Sequence, residues 1–301
     1  MDRTADPSFL ARPLFKWSGS KRAIAAELAK RLPPTLATAQ RRYVEPFAGS
    51  AALFFYLRAR GLDMPAVLAD SNADLVNVYA AIAREPEAVA AWLEIFARGS
   101  SKGKFYLVRQ AWNRTRELWT DARRAAGFIY LNRACFNGLW RVNAAGEFNV
   151  PYGQRASLAI PDREHVSAFA RALAGVTLKA HGFVATLSAC RPGDVVYCDP
   201  PYLPTSATSS FVGYDVGGFS TDDHELLASM TRELVRRGVW IMISNSDTPL
   251  ARELYADPIW QIETISAPRR IAADATKRGD VRELLITPHP RWLANAAQKD
   301  A

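Results

Sequence analysis

Asp199-Pro200-Pro201-Tyr202 is the stretch whose residue types and spacing best fit a chemical task. A carboxylate and an aromatic ring flank two prolines, directly after the apolar run Val195-Val196-Tyr197-Cys198. That run follows the turn signal Pro192-Gly193 and reads as a buried strand that stops at Asp199, because proline has no N–H to offer a sheet ladder. In open α/β sheets ligands lie outside the carboxyl ends of the strands, so Asp199 and Tyr202 fall where chemistry is usually done. A surface turn capped by Asp199 would explain the prolines, but not the carboxylate and the ring that flank them. The chemistry that needs all four residues is methylation of an exocyclic amine on a nucleobase. The lone pair of such an amine is delocalised into the ring, and a base placed elsewhere would not make it nucleophilic. A carboxylate accepting one N–H, with a backbone carbonyl held still by the prolines accepting the other, would favour the lone pair leaving conjugation. The adjacent ring would stack on a base taken out of its helix.

Three more stretches carry residues of the right kind. Lys16-Trp17-Ser18-Gly19-Ser20-Lys21 places two lysines in a Gly/Ser turn before a predicted helix with Ser20 as its N-cap. Free N–H groups and the helix dipole bind anions at such a place; a capped surface helix with ordinary lysines accounts for the same residues. Tyr43–Phe47 reads as a strand, followed by the small-residue turn Ala48-Gly49-Ser50-Ala51 and an apolar helix ending near Gly61. A second strand, Ala66–Ala69, carries Asp70 at its end. Strand, small-residue turn, helix and acidic strand end make a nucleoside pocket, with Phe47, Gly49 and Asp70 lining it and the carboxylate on ribose hydroxyls. Gly49 as a plain tight turn is the alternative. In Asn137–Gly153, extended segments Leu139–Asn143 and Glu147–Pro151 flank Ala144-Ala145-Gly146, which predicts a β-hairpin. A two-stranded ribbon fits the major groove and Arg141 could make bidentate contact with guanine; the other reading is a hairpin that staples the helical region to the sheet.

The elements around these stretches alternate strand and helix. Ile24, Leu28 and Leu32 form a helical stripe that Pro33-Pro34 end. Residues 73–135 read as helical, with Tyr79, Trp92, Tyr106, Trp112 and Trp119 mostly as packing and Arg114, Arg116, Arg123, Arg124 and Arg133 on the outside. Gly99–Gly103 reads as a mobile loop between helices. A helix over 162–174 leads to a strand at Val176–Ala180, with His181-Gly182-Phe183 at its end and His181 as a polar loop residue. Leu203–Gly218, long and rich in Ser, Thr and Gly, reads as an active-site lid. A helix from Thr221 to Arg237 and the strand VWIMISN follow. A polar loop then offers Arg269, Arg270, Lys277 and Arg278 to phosphates, before a last strand at Val281–Thr287. With 301 residues and 49% hydrophobic content the chain can bury a real core. A formal charge of +8 and a pI near 9.5 suit a polyanionic partner. Cys135, Cys190 and Cys198 lack metal-ligand or CxxC spacing and read as small buried residues in a reduced compartment. No secretory signal and no apolar run near 18 residues is present, which points to a cytoplasmic chain with no membrane association.

Taken together, these motifs resemble the amino-methyltransferases that use S-adenosylmethionine, and VVYCDPPYLPTSAT is similar to the DNA adenine methylase family that acts on GATC. The resemblance runs from about residue 14 to 287 and includes the order of the motifs. It implies an α/β fold: a Rossmann-like class I methyltransferase sheet, with an inserted, mainly helical target-recognition domain bearing the β-hairpin. The catalytic domain would comprise 14–72 and 161–287, the recognition domain 73–160, and 1–13 and 288–301 would be tails. The resemblance assigns catalysis to Asp199, Pro200, Pro201 and Tyr202. Trp17 and Lys21 would contact the methionine part of S-adenosylmethionine; Phe47, Gly49, Asp70 and Asp199 would complete the cofactor set, and Phe183 would flank the cofactor adenine. Family members carry a second glycine where this chain has Ala51.

NRACFNGLWRVNAAGEFNVPYG matches the family's recognition hairpin. Phe136, a tyrosine in the GATC branch, would wedge into the base stack, while Asn137, Leu139, Arg141 and Pro151 would read the site. Lys16, with Arg269 and Arg270, would hold the DNA. The implied activity is methyl transfer to adenine N6 in double-stranded DNA at the nucleoid, by direct in-line displacement without a metal, leaving S-adenosylhomocysteine. Methylation of cytosine N4 or of an RNA amine, and a catalytically weak DNA-binding regulator, are the competing readings. Oligomeric state is left open.

Overall fold

A computed structural model describes residues 10, 12–36, 41–154, 158–204, 218–268 and 280–291. Arg269, Arg270, Lys277, Arg278 and all but the ends of the Leu203–Gly218 loop lie outside the described residues, as does most of both tails. The strands are β1 (Tyr43–Glu45), β2 (Ala66–Asp70), β3 (Val176–Ala180), β4 (Val195–Cys198), β5 (Trp240–Ser246), β6 (Trp260–Pro268) and β7 (Asp280–Pro288). They form one sheet in the order β3-β2-β1-β4-β5-β7-β6. Contacts divide the chain into two compact units. One holds Met1–Ala29, Gly49–Asp63 and Asn72–Ala180; the other holds Lys30–Ala48, Met64–Ser71 and His181–Ala301.

In the second of these units, β4 pairs parallel with β1 on one side (Val196 against Val44) and with β5 on the other (Cys198 against Ile243). Every residue of β4 is buried. A strand covered on both faces has no polar side to show, which is why VVYC is a continuous apolar run and not an alternating one. The turn before it is tied by Arg42, whose Nη2 meets Asp194 Oδ2 at 2.5 Å, and Gly193 takes a φ of +88° there. β2 lies parallel to β1, while β7 runs antiparallel to both β5 and β6. The sequence reading had no strand at Trp260–Pro268: Trp260, Ile262 and Ile265 break the period of two, and the pairing with β7 overrides that slip.

Helices of the described residues are α1 (Ala25–Ala29), α2 (Ala52–Arg58), α3 (Ala73–Arg84), α4 (Pro86–Ala97), α5 (Lys102–Thr115), α6 (Asp121–Ala134), α7 (Arg163–Ala172), α8 (Phe183–Ser188), α9 (Thr221–Arg236) and α10 (Pro249–Leu254). In the sheet unit, α9 starts with a capping box. Ser220 Oγ accepts from Asp223 N at 3.1 Å, and Asp223 Oδ2 accepts from Ser220 N at 2.8 Å. Its Leu227, Leu234 and Val235 pack with Val196, Ile241, Ile243 and Ile286 of the strands.

The other unit is built from α1 to α7. Tyr79, Trp112 and Trp119 are buried as expected, whereas Trp92 and Tyr106 are only half-buried. Gly127, inside α6, leaves room for the Trp119 ring, which a Cβ would meet at 2.8 Å. Two expectations change here. The loop is shorter than Gly99–Gly103, because Ser101 caps α5 and Lys102 and Gly103 are helical. Nor do the arginines simply solvate the outside. Arg124 pairs with Asp74 at 2.6 Å, Arg123 lies over the Trp92 and Trp119 rings, and Arg133 Nε donates to the Leu14 carbonyl at 2.8 Å.

Asn132 is 0% exposed and uses its whole amide. Oδ1 accepts from Lys16 N at 2.7 Å, and Nδ2 donates to the carbonyls of Lys16 at 2.8 Å and Gly138 at 2.9 Å. Replacing it by alanine leaves buried backbone groups without partners, so Asn132→Ala is expected to cost about 2–4 kcal/mol in a urea titration. A loss under about 0.5 kcal/mol would show that water takes over the bonds.

His224, in α9, is 2% exposed, and burial pushes its imidazole down to about 4. The unfolded chain binds a proton there from about pH 6.5, and the folded chain does not until near 4. Stability therefore falls as pH drops through that window, by about 2 kcal/mol between pH 7 and 5 from this ring. His224→Leu should lose correspondingly less over the same interval in paired denaturation curves; an unchanged loss would place the acid sensitivity elsewhere.

Candidate active site and nucleic-acid interface

The parallel strands β1, β2, β4 and β5 end on one edge of the sheet, so Phe47, Asp70, Asp199 and Asn245 follow or close neighbouring strand ends. Pro200 is buried, Pro201 is exposed, and Asp199 and Tyr202, which flank them, are half-buried. The Tyr202 hydroxyl donates to Glu283 Oε2 at 2.9 Å. Burial, followed by the charges of Asp199, Tyr197 and Glu283, holds this phenol well above its usual pKa, so it stays a donor. One residue on, Leu203 N donates to Asn245 Oδ1 at 3.2 Å, and the Leu203 carbonyl accepts from Ser246 Oγ at 2.5 Å.

Phe183 opens α8, and its ring stacks on Phe47 with centroids 5.5 Å apart and planes at 23°. Phe219 meets both, at 5.5 and 5.4 Å. These three rings and Asp70 are the apolar and acidic parts a nucleoside site requires. Phe219, Asn245, Ser246 and Glu283 were not assigned roles from the sequence. Phe219 did carry a signal, since an aromatic just before an N-cap serine is a staple position. Glu283 carried none, because only the β5–β7 register brings it to Tyr202. Asp247 is bound by Arg252 at 2.7 Å, which holds its carboxyl below the usual range, so it acts as an ion-pair partner. His181 shares its Nδ1 with Thr186 Oγ1 at 3.2 Å, as a loop residue would.

In the helical unit, Gly49 takes a φ of +47°, and a Cβ there would stand 2.8 Å from Trp17 Nε1. Only glycine allows the indole to lie against this turn. The Gly49 carbonyl accepts from the Tyr79 hydroxyl at 2.7 Å. Ala51 is buried with a φ of +46°. A glycine there would fit without strain, and alanine costs about 1 kcal/mol in that conformation. Lys21 is buried and its Nζ donates to the Gly19 carbonyl at 2.9 Å. Ser20 does not cap: its hydroxyl lies 2.7 Å from Ser50 Oγ, Lys21–Ala23 form a 3-10 turn, and α1 starts only at Ala25. The serine meets the turn that holds Gly49 rather than the helix it precedes.

The same unit gathers the hairpin residues. Val142 bridges Phe148 antiparallel, Asn143 N donates to the Glu147 carbonyl, and Asn149 N donates to the Arg141 carbonyl. The ribbon exists as isolated bridges and not as two full strands. Asn113 of α5 holds Phe148 by both backbone groups, and Arg109 donates to the Val150 carbonyl at 3.2 Å. Trp140 stacks on Phe128 at 3.7 Å. At the base, Phe136 N donates to the Pro151 carbonyl, and a Cβ on Gly153 would fall 2.5 Å from the Cys135 carbonyl. Asn137 and Gly138 have φ of +54° and +68°, turning the chain so that Phe136 stands 46% exposed. The Lys16 side chain passes over Gly138, where a Cβ would meet its Cδ at 2.5 Å. Lys16 thus lies against the turn that follows Phe136 and Asn137, and Pro151 is tied to Phe136 by the backbone. Arg141 is exposed, with Nε donating to Asn149 Oδ1 at 2.9 Å. Among the described residues no group of three or more His, Cys, Asp or Glu side chains could hold a metal, and no helix is long and apolar enough to cross a membrane.

Known proteins resemble this chain over most of its length. The chain is 38% identical over 283 residues to the Retron Ec67 DNA adenine methylase of Escherichia coli, covering 93% of each chain. It is 36% identical over 278 residues to the DNA adenine methylase of Serratia marcescens, covering 91% of this chain and 97% of that one. To the type II methyltransferase M1.LlaDCHI of Lactococcus lactis subsp. cremoris it is 35% identical over 280 residues, covering 92% of this chain and 95% of the relative. The pattern of one family matches residues 17–271, and with that match the chain belongs to the D12 class N6 adenine-specific DNA methyltransferases.

Proposed function

We propose that this adenine-specific DNA methyltransferase takes its methyl group from S-adenosylmethionine and acts on the adenine of GATC in duplex DNA. The observation that carries the reading is Asp199 at the carboxyl end of β4, followed by two prolines and by a tyrosine whose hydroxyl is bound. The donor, when bound, supplies an electrophilic methyl. Asp199 accepts one N6 hydrogen of the adenine and the Pro200 carbonyl accepts the other. The nitrogen lone pair is then free to leave conjugation and point along the line of displacement. Tyr202 stacks on the extruded base. The residue types suit the donor: as the resemblance implies, Phe47 and Phe183 would take its adenine, Asp70 its ribose, and Trp17, Gly49 and Lys21 its methionine part.

In this reading 73–160 recognises DNA, and 14–72 with 161–287 carries out transfer. Phe136 supplies the wedge, and Asn137, Leu139, Arg141 and Pro151 read the bases. Lys16, Arg269 and Arg270 hold phosphates. Its Nε occupied by Asn149, Arg141 would present its two terminal nitrogens to a guanine edge.

Asp199→Ala removes an acceptor that matters most in the transition state. The single-turnover rate should fall on the order of 100-fold or more, while DNA affinity changes by less than about threefold. A rate near the parent's would remove Asp199 from the reaction. Identifying the methylated nucleoside, with methyl-sensitive sequencing of DNA from expressing cells, fixes base and context together; methyl groups on cytosine or outside GATC would overturn the substrate assignment. Arg141→Ala should lower discrimination at one base pair by about 1–3 kcal/mol, measured on GATC duplexes and single-position variants. Equal slowing of every duplex would make Arg141 a phosphate contact or a structural residue.

A further inference from the structure

Stacking on a base needs a ring, and phenylalanine would supply one, so the Tyr202 hydroxyl has another use. It donates to Glu283 at 2.9 Å. Glu283 is well placed to hold something still, because β7 is paired on both sides: Glu283 stands opposite Ser246 of β5 and Ile265 of β6. The backbone that carries the ring is held as well, through Leu203 on Asn245 Oδ1 and Ser246 Oγ. Asn245 Oδ1 also accepts from Ser246 N at 2.8 Å, so one amide oxygen ties two backbone N–H groups.

We propose that Glu283 is a positioning residue for methyl transfer, acting through the Tyr202 hydroxyl to fix the placement of the ring on which the target adenine stacks. This rests on the role proposed above for Tyr202. Rotation about the first side-chain torsion swings a tyrosine ring and carries its hydroxyl through a wide arc. One hydrogen bond at the end farthest from Cβ removes that freedom, and Asn245 and Ser246 remove that of the backbone. Small errors in placement are costly where reacting atoms must lie within about 3–3.5 Å in line. The group acts on orientation alone, so its loss should be visible in the transfer step and not in cofactor binding.

The test is a double-mutant cycle of Tyr202→Phe and Glu283→Ala, with Glu283→Gln as the conservative variant. Single-turnover methylation, S-adenosylmethionine binding by calorimetry, and fluorescence of 2-aminopurine at the target position are the readouts. Each single variant is expected to slow transfer about tenfold, the size of a hydrogen bond to a charged group. The double variant should be no slower than either, with cofactor affinity unchanged. Glu283→Gln, which keeps an acceptor oxygen, should recover most of the rate, and the 2-aminopurine signal should differ from the parent's in the slow variants only. Losses that multiply in the double variant, or a Tyr202→Phe enzyme at the parent's rate, would overturn the proposal. If Glu283→Ala fails to fold, the Tyr202→Phe and Glu283→Gln rates still decide it. A parent enzyme that yields no N6-methyladenine would instead be a failure of the substrate reading, seen before any variant is made.

Discussion

Two prolines in succession set the constraint on which the active edge depends. Pro200 and Pro201 have no N–H, so β4 cannot extend its ladder toward β5 past Cys198. A chain that leaves a sheet at that point carries backbone groups that the ladder no longer satisfies. The register resolves this. Cys198 pairs with Ile243, and β5 runs on through Ser244 and Asn245 to Ser246. The overhang supplies side chains where the ladder stops, and Asn245 and Ser246 take both backbone groups of Leu203. The same amide oxygen of Asn245 satisfies two N–H groups, those of Leu203 and Ser246.

A related economy holds in the helical unit, where irregular backbone is fixed by buried polar side chains. Asn132 joins the segment at Lys16 to the turn at Gly138, and Asn113 and Arg109 attach the ribbon to α5. Isolated two-stranded ribbons are marginal in water. Here Trp140, Phe148, Trp112 and Phe128 pack under the ribbon and supply the apolar contact it lacks by itself. Side chains placed on such a support keep their geometry before any ligand arrives.

What the sequence made legible was what local chemistry decides. The run Val195–Cys198 with its prolines, the left-handed turn at Gly49 and the hairpin signal around Gly146 all correspond to observed elements. What stayed hidden depended on partners far along the chain. Ser20 has every attribute of an N-cap, yet the hydroxyl of Ser50 is nearer than the helix amides. β6 lost its period because pairing with β7 stabilised it against its own pattern. Glu283 is an ordinary acidic residue in the sequence of a strand, and its meaning comes from the antiparallel register that brings it to Tyr202. Arginines looked alike in one dimension; in three, Asp74 and the faces of Trp92 and Trp119 separate them.

That last point bears on how a basic chain finds specific rather than general use for its charge. A formal charge of +8 implies attraction to a polyanion but says nothing of which cations meet it. Many here are already engaged: Arg42 with Asp194, Arg124 with Asp74, Arg163 with Glu94, and Arg252 with Asp247. Their fields are largely cancelled at short range. Arg141 differs by orientation and not by charge. The side-chain hydrogen bond it makes among the described residues is from Nε to the neutral amide of Asn149, which keeps the positive charge and leaves the terminal pair of nitrogens for a partner. A fork held by its neck is the geometry that matches the two acceptors on a guanine edge. On the function proposed above, discrimination would draw on the asparagine–arginine pair on the ribbon, while the remaining net charge supplies affinity without regard to sequence.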